Sequence, residues 1–146
     1  MNFARVSLGM VLATALIVSV GFSAEKDPTA PRVPADQMKA AKDWKNPMKP
    51  TPENIAKGKE IFTGKGTCFT CHGNEGRGGG PAGAALDPTP RNFHNPKLSA
   101  KSEGEFMWVI KNGSDGTGMI SYAPAIISEE EAALVILYEK SLEKQP

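Results

Sequence analysis

The sequence predicts an all-α domain of three or more helices joined by glycine- and proline-rich loops. Three stretches of apolar residues at spacings of three and four, the period of a helix, each follow a hydroxyl residue. Alternating apolar and polar residues, which are typical of strands, are weak throughout. Residues 73–100 contain much glycine and proline and have no convincing periodicity, so they are predicted to be loops.

The first helix of the domain is predicted from Thr51 to about Phe62. Thr51 offers a hydroxyl N-cap, and Pro52 suits the first helical position. Ile55, Gly58 and Phe62 lie on one face of this helix. Because glycine lowers helix stability, Gly58 indicates that another helix crosses closely at that point.

Two further helices each begin with a capping box. Ser102 and Glu105 form the first box, and Gly113 is a suitable stop for that helix. Ser128 and Glu131 form the second box and open the last helix. The last helix has a broad apolar face, made of Leu134, Val135, Leu137 and Tyr138.

Both cysteines of the chain belong to one motif, Cys68-x-x-Cys71-His72. This spacing is the attachment signature of a c-type haem. Each thiol adds to one vinyl group, and the adjacent histidine becomes the proximal iron ligand. With no other cysteine available, the chain is predicted to carry one haem c.

Other chemistry fits this motif less well. A thioredoxin-like redox pair usually accompanies a βαβ pattern, which the sequence does not indicate. A zinc site needs two more ligands, and His94 is the only other histidine. A disulfide between Cys68 and Cys71 would close a strained four-residue loop.

Met119 is the predicted sixth ligand of the iron, because it ends a flexible glycine-rich loop between two helices. Met107 lies inside a predicted helix and is expected to fill the core. Met38 and Met48 precede the domain. His94 is the rival ligand, although it is expected to be an exposed loop residue.

Residues 1–24 have the layout of a secretory signal peptide. Arg5 precedes an almost unbroken apolar run, and cleavage is expected near Ser23 or Ala24. The alternative is an uncleaved membrane anchor, since the run approaches the roughly 17–25 residues that span a bilayer. Export agrees with the motif, because bacteria attach c-type haem outside the cytoplasm. The predicted location is therefore periplasmic.

The length fits one domain, residues 51–146, preceded by the signal peptide and a proline-rich arm at residues 25–50. The arm is predicted to be an extended tether or a wrapping segment. A short helix within Asp36–Trp44 and packing of Trp44 and Met48 onto the domain are also expected.

The charge is balanced, with 17 basic and 16 acidic residues, and Arg5 is the only charged residue among the first 24. This balance argues against nucleic acid as a partner. Lysines crowd the first half of the chain, either as ordinary surface or as a basic face that steers docking with a redox partner.

These features resemble the small monohaem class I cytochromes c of bacterial respiratory chains, from about Thr51 to Leu142. The most specific parts are Cys68–His72, residues 73–81, Pro90–Phe93 and residues 112–119. The resemblance implies the class I cytochrome c fold, in which helices and loops wrap around one covalently attached haem.

The resemblance also implies roles for individual residues. The carbonyl oxygen of Pro81 would accept a hydrogen bond from Nδ1–H of His72 and so strengthen its bond to iron. The first and last helices would cross where Gly58 and Phe62 of one helix meet Val135 and Tyr138 of the other. Trp108 would either donate to a haem propionate or pack between helices.

The resulting hypothesis is a non-enzymatic periplasmic protein that shuttles single electrons through a haem c, attached by Cys68 and Cys71 and ligated by His72 and Met119. Its partners would be membrane or periplasmic reductases and oxidases that dock transiently. Contact with the membrane is expected only if the signal segment is retained. The alternatives are an electron-accepting subunit of a larger oxidoreductase and a haem sensor or enzyme with an open sixth position.

Overall fold

The computed structural model of the protein describes residues 27–143, so the predicted signal peptide lies outside the described residues. Within this range the chain forms five α-helices and no β-strand, which confirms the all-α class. None of these helices is long and apolar enough to cross a bilayer. The helices are α1 (Met38–Asp43), α2 (Pro52–Thr63), α3 (Phe69–His72), α4 (Glu103–Asn112) and α5 (Glu129–Leu142), with short 3-10 helices at Gly83–Ala85 and Pro96–Ala100.

The helix starts lie where the capping residues predict them. The Thr51 hydroxyl accepts a hydrogen bond from the Asn54 amide at 3.2 Å. The Ser102 hydroxyl accepts from the Glu105 amide at 3.2 Å, and the Ser102 amide donates to the Glu105 carboxylate at 2.8 Å. The box that opens α5 has the same pair of bonds. Of the five α-helices, only α3, a single turn without a side-chain cap, was not predicted. The two 3-10 helices lie within residues 73–100, which were predicted to be loops.

Helices α2 and α5 cross in close contact at the predicted glycine. A methyl group added at Gly58 would lie 2.1 Å from the carbonyl oxygen of Leu134 and 3.1 Å from Cβ of Tyr138. One turn further along α2, Phe62 is fully buried and meets the Tyr138 ring edge-to-face, with the ring centroids 5.2 Å apart. This crossing anchors the hydrophobic core, which places the α2–α3 loop and the motif beside α5.

The described part of the arm wraps around the domain. Its short helix, α1, lies within the predicted range, and Ala41 is buried. Trp44 and Met48 pack against the core. Between them, the Asn46 side-chain amide donates to the carbonyl oxygen of Ala133 on α5 at 3.0 Å. Of the two forms expected for the arm, the described residues therefore adopt the wrapping segment and not the extended tether.

Candidate haem site

One open cavity brings together the two motif cysteines, His72 and Met119. It contains about 1310 Å³ of empty space, including its mouth, and its walls are mainly apolar. Phe106 and Val109 of α4 and Val135 of α5 contribute to these walls. A mainly apolar cavity that also contains thiol and imidazole groups has the chemistry that a covalently attached haem needs.

Helix α3 presents the thiols and the imidazole to this cavity. Cys68 is the residue just before the helix and Cys71 follows three residues later, so both lie on the same side of a single turn. The loop after the motif fixes this turn from its carboxyl end. The Gly78 amide donates to the His72 carbonyl at 2.8 Å, and the Gly80 amide donates to the Cys71 carbonyl at 3.0 Å.

The imidazole of His72 is held in one orientation by the loop that contains Arg91 and Phe93. Nδ1 lies 3.0 Å from the carbonyl oxygen of Arg91, and the ring stacks on Phe93 with the centroids 4.7 Å apart. Burial lowers the pKa of His72, an effect that the Arg91 hydrogen bond partly offsets. The imidazole is therefore neutral at physiological pH, with Nδ1–H donating and the Nε2 lone pair available to bind iron.

The carbonyl that accepts from His72 belongs to Arg91, which corrects the role that the resemblance implied for Pro81. Pro81 is exposed and does not line the cavity. Every residue has a carbonyl, so side-chain identity alone does not reveal which one accepts this bond. The Pro90–Phe93 run was the available signal, because its aromatic residue marks the loop that packs on the imidazole.

Met119 lies on the cavity wall, in a loop that is stabilised by hydrogen bonds between its own residues. Its amide donates to the Thr117 hydroxyl at 3.1 Å, and its carbonyl accepts from the Ser114 amide at 2.9 Å. The glycine-rich loop thus holds this methionine at the wall by two hydrogen bonds. His94 does not line the cavity, and its Nε2 lies 2.8 Å from the carbonyl oxygen of Glu75.

A buried carboxyl group on the cavity wall was missed in the sequence. Glu139 is 5% exposed and lies one turn after Val135, which lines the same cavity. Burial, with a smaller contribution from the nearby Glu143, raises the pKa of Glu139 to about 8, and Lys140 opposes the shift. Burial also raises the pKa of the Cys68 thiol to about 12, with Glu139 as the next cause. The available signal was an acidic residue four positions after an apolar one on the buried face.

Replacing Glu139 with glutamine is expected to weaken the pH dependence of stability. The folded protein keeps a proton on Glu139 that the unfolded chain releases near pH 4.5. The contribution of Glu139 to the free energy of unfolding is therefore complete below that pH. It is lost as the pH rises through about 8. The free energy of unfolding should therefore fall by up to about 1.4 kcal/mol per pH unit in between.

Denaturant titrations of the holoprotein across pH 5–8 measure this slope. Glu130, which is exposed on the first turn of α5, provides the matched control as Glu130→Gln. Identical slopes for Glu139→Gln and the wild type would contradict the assignment.

Comparison with known proteins agrees with this site. The family model for cytochrome c matches residues 55–143. A solved structure from Kuenenia stuttgartiensis, the reducing HAO-like protein complex Kustc0457/Kustc0458, has 33% sequence identity to this chain and a TM-score of 0.58. The match covers 66% of this chain and 46% of that chain, so this chain spans about half the length of the protein it matches. No curated protein sequence matches it significantly.

The family match includes the motif, the loop that holds its histidine and the methionine loop. The cavity that these parts enclose has the apolar walls and the thiol and imidazole groups that a covalently bound haem requires. The chain belongs to the cytochrome c family, whose members carry covalently bound haem c and use it for electron transfer.

Proposed function

We propose that this protein is a periplasmic carrier of single electrons, without enzymatic activity, that docks transiently with redox partners. One haem c would be attached through Cys68 and Cys71 and ligated by His72 and Met119. The observation that carries the proposal is that these four residues line a single, mainly apolar cavity. When bound, haem supplies a one-electron Fe(III)/Fe(II) couple.

The protein's own groups would close the iron to other chemistry. Arg91 and Phe93 keep the His72 imidazole in a fixed orientation, so little rearrangement accompanies a change of charge. A thioether from Met119 bound to the iron would exclude small ligands and raise the reduction potential. The apolar walls would reduce the contact of the haem with water, which also favours the less charged ferrous state.

Visible spectra of protein produced with a c-haem maturation system test the proposal. We expect a low-spin spectrum in both oxidation states, a Met–ferric charge-transfer band and a ferrous spectrum that carbon monoxide does not change. A high-spin spectrum or rapid carbon monoxide binding would instead indicate the open-site alternative, a haem sensor or enzyme.

Replacing Met119 with leucine is expected to lower the reduction potential and to allow carbon monoxide to bind. Leucine keeps the apolar bulk but removes the sulfur that would coordinate iron. Met107→Leu is the matched control, because Met107 is 5% exposed in the core and does not line the cavity. If Met119→Leu and Met107→Leu have the same potential and spectrum, Met119 is not the ligand.

The second candidate function is an electron-accepting subunit of a larger oxidoreductase. It is supported by the Kuenenia structure, which is a complex of two named proteins and whose matched chain is about twice as long as the matching part. Affinity purification of the protein from its native host distinguishes the two functions. A stoichiometric partner that survives gel filtration supports the subunit, and recovery of the cytochrome alone supports the carrier.

A further inference from the structure

The cavity has a wall that lies outside the region matched by the family model. Three of its lining residues, Pro28, Arg32 and Val33, come from the arm, whereas the match begins at residue 55. Val33 is only 4% exposed, so this part of the arm is packed against the domain. The arm therefore contributes to the enclosure of the cavity.

Hydrogen bonds tie this wall to the start of α4. The Lys101 ammonium donates to the carbonyl oxygens of Thr29 at 3.0 Å and Ala30 at 3.3 Å. Lys101 itself lines the cavity and forms an ion pair with Glu105 at 3.4 Å. Both residues of this pair are largely buried, so the link is sheltered from solvent.

Helix α1, which belongs to the same arm, packs directly against α4. A methyl group added at Gly104 would lie 1.8 Å from the carbonyl oxygen of Ala41, so the backbones touch at a point where only glycine fits. The Trp108 indole N–H donates to the Gln37 side chain at 2.7 Å. Trp108 does not line the cavity, so its hydrogen bond secures the arm instead of reaching a haem propionate.

The two basic residues of this wall, Lys101 and Arg32, differ in their ion pairing. Lys101 is paired with Glu105, whereas no carboxylate among residues 27–143 lies within ion-pair distance of Arg32. Haem carries two carboxylate side chains, and guanidinium groups bind carboxylates through paired hydrogen bonds. We infer that the arm is an integral wall of the haem site and that Arg32 binds a haem carboxylate, an inference that rests on the proposed function.

Reduction potentials of Arg32→Gln, Arg32→Lys and Lys45→Gln holoproteins test this inference. Arg32→Gln should lower the potential, because an unpaired carboxylate stabilises the ferric state. We expect the equilibrium constant for reduction to fall about three- to tenfold, where tenfold corresponds to about 59 mV for one electron. Arg32→Lys should recover part of the loss, because its ammonium group keeps the positive charge but cannot form the paired hydrogen bonds. Lys45 is exposed in the same arm and does not line the cavity, so its variant should match the wild type.

The outcomes separate this inference from the proposed function. If the wild type has a normal low-spin c-haem spectrum but Arg32→Gln and Lys45→Gln have equal potentials, the role of Arg32 is refuted while the electron carrier stands. If the wild type binds no haem c, both the proposed function and this inference fail.

Discussion

Replacing His72 with alanine is expected to abolish the low-spin haem spectrum. Cys68 and Cys71 would remain to attach haem, but the chain would lose the imidazole that Arg91 orients at 3.0 Å and that Phe93 stacks upon. Alanine has no group to replace Nε2, so the iron would keep at most one strong axial ligand. Visible spectra of the ferric and ferrous variant should become high-spin, with a yield well below that of the wild type.

His94→Ala is the control that this chain offers, since the sequence contains two histidines. His94 lies off the cavity wall beside the Glu75 carbonyl, so its loss should leave the spectrum unchanged. A normal low-spin spectrum for His72→Ala would refute the proximal assignment. A spectral change limited to His94→Ala would transfer the ligand role to that residue.

Replacing Gly58 with alanine is expected to destabilise the holoprotein by roughly 2–3 kcal/mol or more, because overpacking a rigid contact carries such costs. The added methyl would lie 2.1 Å from the Leu134 carbonyl oxygen and 2.7 Å from its carbonyl carbon. These are backbone atoms of α5, so no side chain can rotate away to relieve the clash. Helix propensity alone would favour alanine by about 1 kcal/mol, so the clash must outweigh that gain.

Chemical denaturation of the holoprotein measures the effect, followed at the haem absorption and by circular dichroism. Gly79→Ala is the control, because a methyl group there meets no atom within 4 Å. Equal or greater stability of Gly58→Ala would mean that α2 and α5 are further apart than the structure places them.

The helices could be predicted from the sequence because their start signals are local. Thr51, Ser102 and Ser128 each satisfy an amide three residues ahead, whatever the rest of the fold does. Gly58 indicated the helix crossing because a glycine inside a helix needs a compensating contact. By contrast, the position of the arm depends on long-range contacts such as Trp108 with Gln37, and no residue pattern near the arm encodes them.

The site was predictable where side-chain chemistry defines it, as in Cys68 and His72. It was not predictable where a backbone atom makes the contact. The carbonyl oxygen of Arg91 binds the His72 imidazole, and a carbonyl group does not depend on the residue type. Glu139 was missed for another reason. A charged residue next to an apolar face is normally on the surface, and only the depth of the cavity places its carboxyl group inside.

The crossing of α2 and α5 also governs when the cavity can close during folding. More than half of the chain separates Gly58 from Leu134, and bringing such distant segments together costs roughly 4 kcal/mol of chain entropy. The motif lies between these two residues in the sequence. The cavity walls include segments before Gly58, such as the arm, and segments after Leu134, such as the end of α5. A bound macrocycle that touches both sides would offset this entropy, so attachment of the cofactor and closure of the core are expected to be coupled steps in folding.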